Sequence, residues 1–182
     1  MTLLRTSRLA GGPVVGRRRV YNGPMDQPQT PYDEATAYHE AGHAVVALAL
    51  DRPIHRVSVL PNRDRLGHCE FGKGRFRPTE DSLEREMLIA LGGLAAEARQ
   101  TGTYGWEEAG RDLRYVRKLA LQRAGERAAE RLERRTLAKV ENLLADAGHW
   151  RAVELIAAEL MKHGTISGRA ARHLFERGCR EG

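Results

Sequence analysis

The sequence predicts a mainly α-helical fold with one small β-hairpin, and three observations carry that expectation. Long stretches rich in Ala, Leu, Glu and Arg are punctuated by helix start and stop residues. One segment, residues 54–60, alternates and is rich in β-branched side chains, with a turn and a second short run behind it. Hydrophobic residues make up 41% of the chain and aromatics only 5%, so Leu, Val, Ile and Ala must fill the core.

The elements follow in order. Residues 1–29 contain Gly11-Gly12-Pro13, Gly23-Pro24 and Pro28 without a sustained period, which predicts a flexible basic leader ahead of a domain over residues 30–182. Thr30 can cap a first helix, with Pro31 in its first position and Asp33 closing a capping box. That helix should run to about Leu50 and stop before Pro53. Its second half, residues 44–50, is apolar all round and should be buried. Residues 54–60 form a strand, 61–64 a turn, 66–71 the return strand and 72–78 a loop. Asp81 and Glu84 open a second helix that reaches about Arg99. After a break at 101–105, further helices are expected over 107–124, 126–147 and 149–163, closed by Gly164. Ser167 then caps a last helix over 168–177.

Bulk properties exclude several classes. The longest apolar run, residues 44–50, is far short of the ~20 residues of a membrane helix. Arg5 and Arg8 interrupt the apolar N-terminal residues, which excludes a secretory signal there. Cys69 and Cys179 make no disulfide framework and neither has a nearby Cys partner, so both read as ordinary thiols in a reducing, cytoplasmic setting. The net charge is +6, but residues 1–30 hold five arginines against Asp26 alone, so most of the excess sits in the leader. Arg17-Arg18-Arg19 has no interleaved aromatics, and nucleic-acid binding is not expected. No glycine-rich phosphate loop ending in Gly-Lys-Ser/Thr is present in the sequence, so no ATP is expected to bind.

The segment that carries chemistry is His39-Glu40-Ala41-Gly42-His43. Residues four apart on an α-helix lie on one face, about 6 Å apart along the axis, so His39 and His43 can point two imidazoles at one metal ion. Glu40 lies about 100° around the helix from His39, where its carboxylate can reach a water on the ion without ligating the metal. Zinc lowers the pKa of such a water to roughly 7, and a Glu can take its proton during attack on a carbonyl. The bland alternative is two histidines on a helix beside an exposed Glu. The wholly apolar stretch that starts one residue after His43 argues against it, because buried imidazoles need partners. A catalytic zinc wants a third protein ligand and an open position. By residue type the candidates are His68, Glu70, Glu97 and Asp112, and spacing alone does not choose among them.

The segment 38–44, Tyr-His-Glu-Ala-Gly-His-Ala, resembles the zinc-binding segment of the peptidase domain of FtsH, the membrane-anchored ATP-dependent protease family. Four more blocks follow in that family's order: 53–61 with Leu66-Gly67, resembling its hairpin; 91–97, Leu-Gly-Gly-Leu-Ala-Ala-Glu; 109–113 with Leu119-Ala120, resembling the segment around its third ligand; and 164–168, resembling the link to its last helix. The resemblance spans residues 31–177. It implies a helical zinc metallopeptidase domain in which His39, His43 and Asp112 bind Zn2+, Glu40 is the general base, and Glu97 orients a ligand histidine. The family's ATPase module and membrane anchor have no counterpart in this sequence. The expectation is therefore an ATP-independent endopeptidase acting on peptides or unfolded protein segments. Ala124-Gly125 joins two helices where the family carries an insertion, so homo-oligomerisation stays open, and Trp106-Glu107-Glu108 stands where the family has small residues. The edge strand over 66–71 is expected to take the substrate backbone as an added strand. The rival expectation is a catalytically inactive, zinc-stabilised interaction module of the same fold, against which the presence of Glu40 speaks.

Overall fold

A computed structural model describes residues 32–61, 67–72, 81–106 and 109–182. Among these residues the chain forms α1 (Glu34–Ala49), β1 (Ile54–Ser58), β2 (His68–Phe71), α2 (Ser82–Thr101), α3 (Gly110–Ala124), α4 (Glu126–Ala145), α5 (Ala147–His163), β3 (Thr165–Ser167) and α6 (Gly168–Glu181). The mainly helical class is the one expected. The expected hairpin is present, β1 and β2 pairing antiparallel, and a strand that the sequence did not announce, β3, adds to the other side of β1 to give a sheet of order β2-β1-β3. Only three residues make that third strand, too few for a visible alternation. Ser167 in addition serves as the N-cap of α6, accepting from Ala170 N at 3.2 Å.

Caps account for most of the helix boundaries. Asp33, not Thr30, caps α1: its backbone is extended and its carboxylate accepts from Thr36 N at 2.8 Å. Aspartate is the stronger N-cap, so the helix begins at Glu34. Thr30, Pro31, Leu66, Glu107 and Glu108 lie outside the described residues, as do most of the 61–64 turn and the 72–78 loop. Asp81 caps α2 as expected, accepting from Glu84 N at 3.0 Å. The α4–α5 boundary falls at Asp146, whose carboxylate accepts from His149 N at 2.9 Å, so α5 starts earlier than read from the sequence. Gly164 ends α5 at φ 69°, a left-handed conformation that suits glycine. Its carbonyl then accepts from Val59 N at 2.9 Å, which ties the end of α5 to the end of β1. Strand β1 is shorter than expected, ending at Ser58, and α6 runs on past Arg177 to Glu181.

α1 lies between α2 and α5 and supplies the centre of the core. The apolar stretch after His43 is buried throughout from Ala44 to Leu48, against Met87, Leu91 and Leu94 of α2 and Val153, Ile156 and Leu160 of α5 among others. α1 and α2 meet backbone to backbone at one place. A Cβ on Gly42 would fall on the Gly92 carbonyl oxygen, and one on Gly92 would stand 2.7 Å from the Gly42 carbonyl oxygen. This close crossing sets the two histidines of α1 directly over α2. Among the described residues no helix is long and apolar enough to cross a membrane.

Candidate metal centre

Three helices converge on a cavity of about 580 Å³ that is also lined by Gly67, His68 and Cys69 at the edge of the sheet. α1 contributes His39, Glu40 and His43; α2 contributes Ile89 and Glu97; α3 contributes Asp112 from its first turn. The Nε2 atoms of His39 and His43 stand 3.1 Å apart. Each is 3.2 Å from Oδ2 of Asp112. Donors at 2.0–2.2 Å from a tetrahedral ion stand about 3.4 Å from one another. The nearly equilateral triangle is thus already the size of one face of such a site. Among the described residues these three form a group that could hold a metal ion.

The second nitrogen of each ring fixes its tautomer. His43 Nδ1 is 2.8 Å from the Ile89 carbonyl oxygen, which can only accept, so Nδ1 carries the proton. His39 Nδ1 is 2.9 Å from Glu97 Oε2 and donates to that carboxylate. Both Nε2 atoms are left facing Asp112, and once free of a proton each offers the lone pair that a metal ligand needs. Of the four candidates for a third donor, the structure brings Asp112 into the triangle and puts Glu97 behind His39. His68 lines the same cavity outside the triangle. Glu70 is exposed and bound to Arg56 at 2.7 Å and His68 at 3.3 Å. Cys69 is not in the group either. Burial pushes its thiol well above the ordinary range, which disfavours the thiolate that a metal would take.

The electrostatics of these side chains have one cause, several ionisable groups crowded out of water. Burial disfavours the charged form of His39, but the hydrogen bonds with Asp112 and Glu97 outweigh it and lift its pKa to about 9. His43 is raised as well, with the Asp112 charge overcoming burial. For Asp112 burial acts upward, and the adjacent histidines hold the carboxyl well below the usual carboxylate range. Glu40 goes the other way: burial raises it, against the downward pull of His43 and His39.

Glu40 is only 6% exposed, and its Oε2 has no hydrogen-bond partner. A buried, unpaired carboxylate oxygen is destabilising. Its position beside the donor triangle, facing the cavity, is where a bound water and a cation would satisfy it. The donor set and this orphaned oxygen together fit a divalent cation such as zinc. Sequence reasoning missed the Ile89 carbonyl, and it placed Gly67 only in the substrate edge and Gly93 only in a family block, not as the residues that crowd Glu40 and the two imidazoles respectively. A main-chain acceptor leaves no mark on the sequence. The glycines do, since Gly92-Gly93 inside a helix needs a reason.

Comparison with known proteins places this geometry. The model of peptidase family M41 matches residues 29–126. The chain belongs to that family. Its M41 segment carries four of the five blocks noted above, and the fifth, residues 164–168, lies beyond the match. Similar relatives include the ATP-dependent zinc metalloprotease YME1L of Drosophila melanogaster, 38% identical over 94 residues. That alignment covers 48% of this chain and 13% of the relative. The ATP-dependent zinc metalloprotease FtsH of Magnetococcus marinus is 43% identical over 68 residues, covering 35% of this chain and 10% of the relative. FtsH of Cupriavidus metallidurans is 36% identical over 91 residues, covering 43% and 13%. The M41 chain described here therefore spans only about a tenth of the length of these curated relatives, and what it shares with them is an FtsH-type peptidase domain.

Proposed function

We propose that this protein is a zinc-dependent endopeptidase that hydrolyses peptide bonds in peptides and unfolded protein segments without ATP. The observation that carries the reading is the triangle of His39, His43 and Asp112 with the buried, unpartnered carboxylate of Glu40 beside it. His39, His43 and Asp112 would hold the ion, with Glu97 and the Ile89 carbonyl orienting the two rings. When bound, zinc supplies a Lewis acid that polarises a carbonyl and acidifies water. Glu40 accepts a proton from the attacking water and returns it to the leaving amine. Its burial, which raises the pKa, moves it toward the range in which a general base works near neutral pH.

The cavity runs along β2, which is the outer strand of the sheet on that side. An extended peptide can add to that edge through main-chain hydrogen bonds, and this mode favours substrates without fixed structure. The site is assembled from α1, α2, α3 and β2, all within residues 34–124, which supports turnover by this domain alone. Two free cysteines agree with a cytoplasmic, reducing setting. A purely structural zinc site would have no use for Glu40, whose buried carboxylate only destabilises the fold.

The test is Glu40→Gln. The variant should bind about one zinc per chain, as the wild type does, and lose at least 100-fold in cleavage of an unstructured peptide or casein, the usual range for a general base being about 10²–10⁴-fold. Activity of the wild type should be abolished by a chelator and indifferent to added ATP. A zinc-loaded Glu40→Gln protein that still cleaves removes Glu40 as the base.

A further inference from the structure

We propose that Gly93 is a positioning residue for the metal: its missing side chain is what lets the two imidazoles converge on one ion. The inference rests on the reading of His39, His43 and Asp112 as ligands, and concerns a residue outside that set. Gly92 and Gly93 lie together in the middle of α2, where glycine is the poorest helix former after proline. Backbone freedom does not explain Gly93, because among the described residues the glycines with positive φ are Gly102, Gly125 and Gly164, and Gly93 has ordinary helical geometry. Space must explain it.

The two glycines serve different ends. A Cβ on Gly92 would press on α1 itself, 2.7 Å from the Gly42 carbonyl oxygen and 3.0 Å from Val46 Cγ2. Gly92 therefore belongs to the helix crossing. For Gly93 the three nearest atoms are all imidazole atoms: a Cβ would stand 2.5 Å from His39 Nε2, 2.6 Å from His39 Cδ2 and 2.6 Å from His43 Nε2. Ordinary contact is 3.4–4 Å. The two nitrogens so crowded are the ones that face Asp112. A zinc ion must come within about 2.1 Å of both, so a methyl group there competes for the same small space. The rings cannot swing aside without loss either, since each is held from behind, His43 by the Ile89 carbonyl and His39 by Glu97.

This makes Gly93→Ala separable from a folding defect. The methyl meets ring atoms and no backbone, so the imidazoles give way at the expense of their hydrogen bonds while the helix crossing is kept, and alanine favours the helix. In Gly42→Ala the new Cβ falls on the Gly92 carbonyl oxygen, so that change should harm folding with or without metal.

The experiment compares wild type, Gly93→Ala and Gly42→Ala by zinc titration against a chromophoric chelator and by thermal unfolding in excess chelator. Gly93→Ala should unfold within a few degrees of the wild type when chelated, with the same helical circular dichroism, yet bind zinc about 100-fold more weakly. Gly42→Ala should lose its unfolding temperature in chelator. Should Gly93→Ala also unfold early, it is repeated in a chain carrying His39→Ala and His43→Ala. There it should have no effect, and a persistent loss would mean that Gly93 serves general packing and would overturn the inference. Wild-type zinc affinity in Gly93→Ala overturns it outright. A wild-type protein that binds no zinc brings down the ligand assignment itself, a result distinguishable from either.

Discussion

Glu97 offers the sharpest way to weigh what surrounds the donor triangle. Its carboxylate is nearly buried, 8% exposed by residue, and accepts from His39 Nδ1 at 2.9 Å. Removing it with Glu97→Ala leaves the Nδ1 proton of a nearly buried ring unsatisfied and frees the ring to turn. A hydrogen bond to a charged group is worth about 1.5–3 kcal/mol. At about 1.4 kcal/mol per factor of ten, this corresponds to a loss of roughly 10- to 100-fold in zinc affinity. The same range is typical when a carboxylate behind a metal-bound histidine is removed. Glu97→Gln keeps an acceptor at the same place without the charge, so its loss should be the smaller of the two. Competition with a chromophoric chelator measures both, and peptide turnover at saturating zinc tells affinity from chemistry: the variants should recover most of their activity once loaded. If Glu97→Ala binds zinc as tightly as the wild type, the contact between Glu97 and His39 has no role in holding the metal, and the argument for it fails.

Two further outcomes follow from the same centre. In the chelated protein, His39 has a pKa of about 9, above its ordinary 6.5, so its stabilisation is complete below pH 6.5 and lost as pH rises through about 9. Asp112 is depressed from 3.8, so its contribution is present above that value and lost in acid. The unfolding temperature of the chelated protein should therefore fall between pH 6.5 and 9. The increment produced by zinc should grow over the same interval, because binding displaces protons; a chelated protein whose stability rises there contradicts the assignment. Gly67→Ala would place a Cβ 2.8 Å from both Cγ and Oε1 of Glu40 and 2.9 Å from the Ser58 carbonyl oxygen. Peptide turnover should drop at least about tenfold, as expected when a catalytic group is displaced, with zinc content unchanged. Unchanged kcat would show that Glu40 is not held by the sheet edge.

How much was legible in the sequence depended on the kind of force that writes each feature. Capping and helical periodicity leave local marks, so α2 from Asp81 and the buried half of α1 could be read directly. Features fixed by a partner far along the chain could not. β3 exists because residues 165–167 happen to lie beside β1, and its three residues carry no period of their own. Spacing brought His39 and His43 together but left His68, Glu70, Glu97 and Asp112 equal as third donors. Only the resemblance to a family favoured Asp112, and only the folded chain puts its Oδ2 equidistant from both rings.

The glycines show why a composition of small residues is more than filler here. An α-helix has no backbone need for Gly42, Gly92 or Gly93, and each lowers helix propensity. Gly42 and Gly92 let α1 and α2 touch, which brings the Ile89 carbonyl and Glu97 within reach of the rings from below. With the helices that close, any side chain at position 93 would project among the Nε2 atoms, so the same proximity that orients the imidazoles demands a third glycine. The two requirements are coupled. A wider crossing would make room for a side chain at 93 and at the same time pull the acceptors away from both Nδ1 atoms. The local helix destabilisation is thus the condition for a preorganised donor set, and its loss should be felt first in metal affinity and only then in the fold.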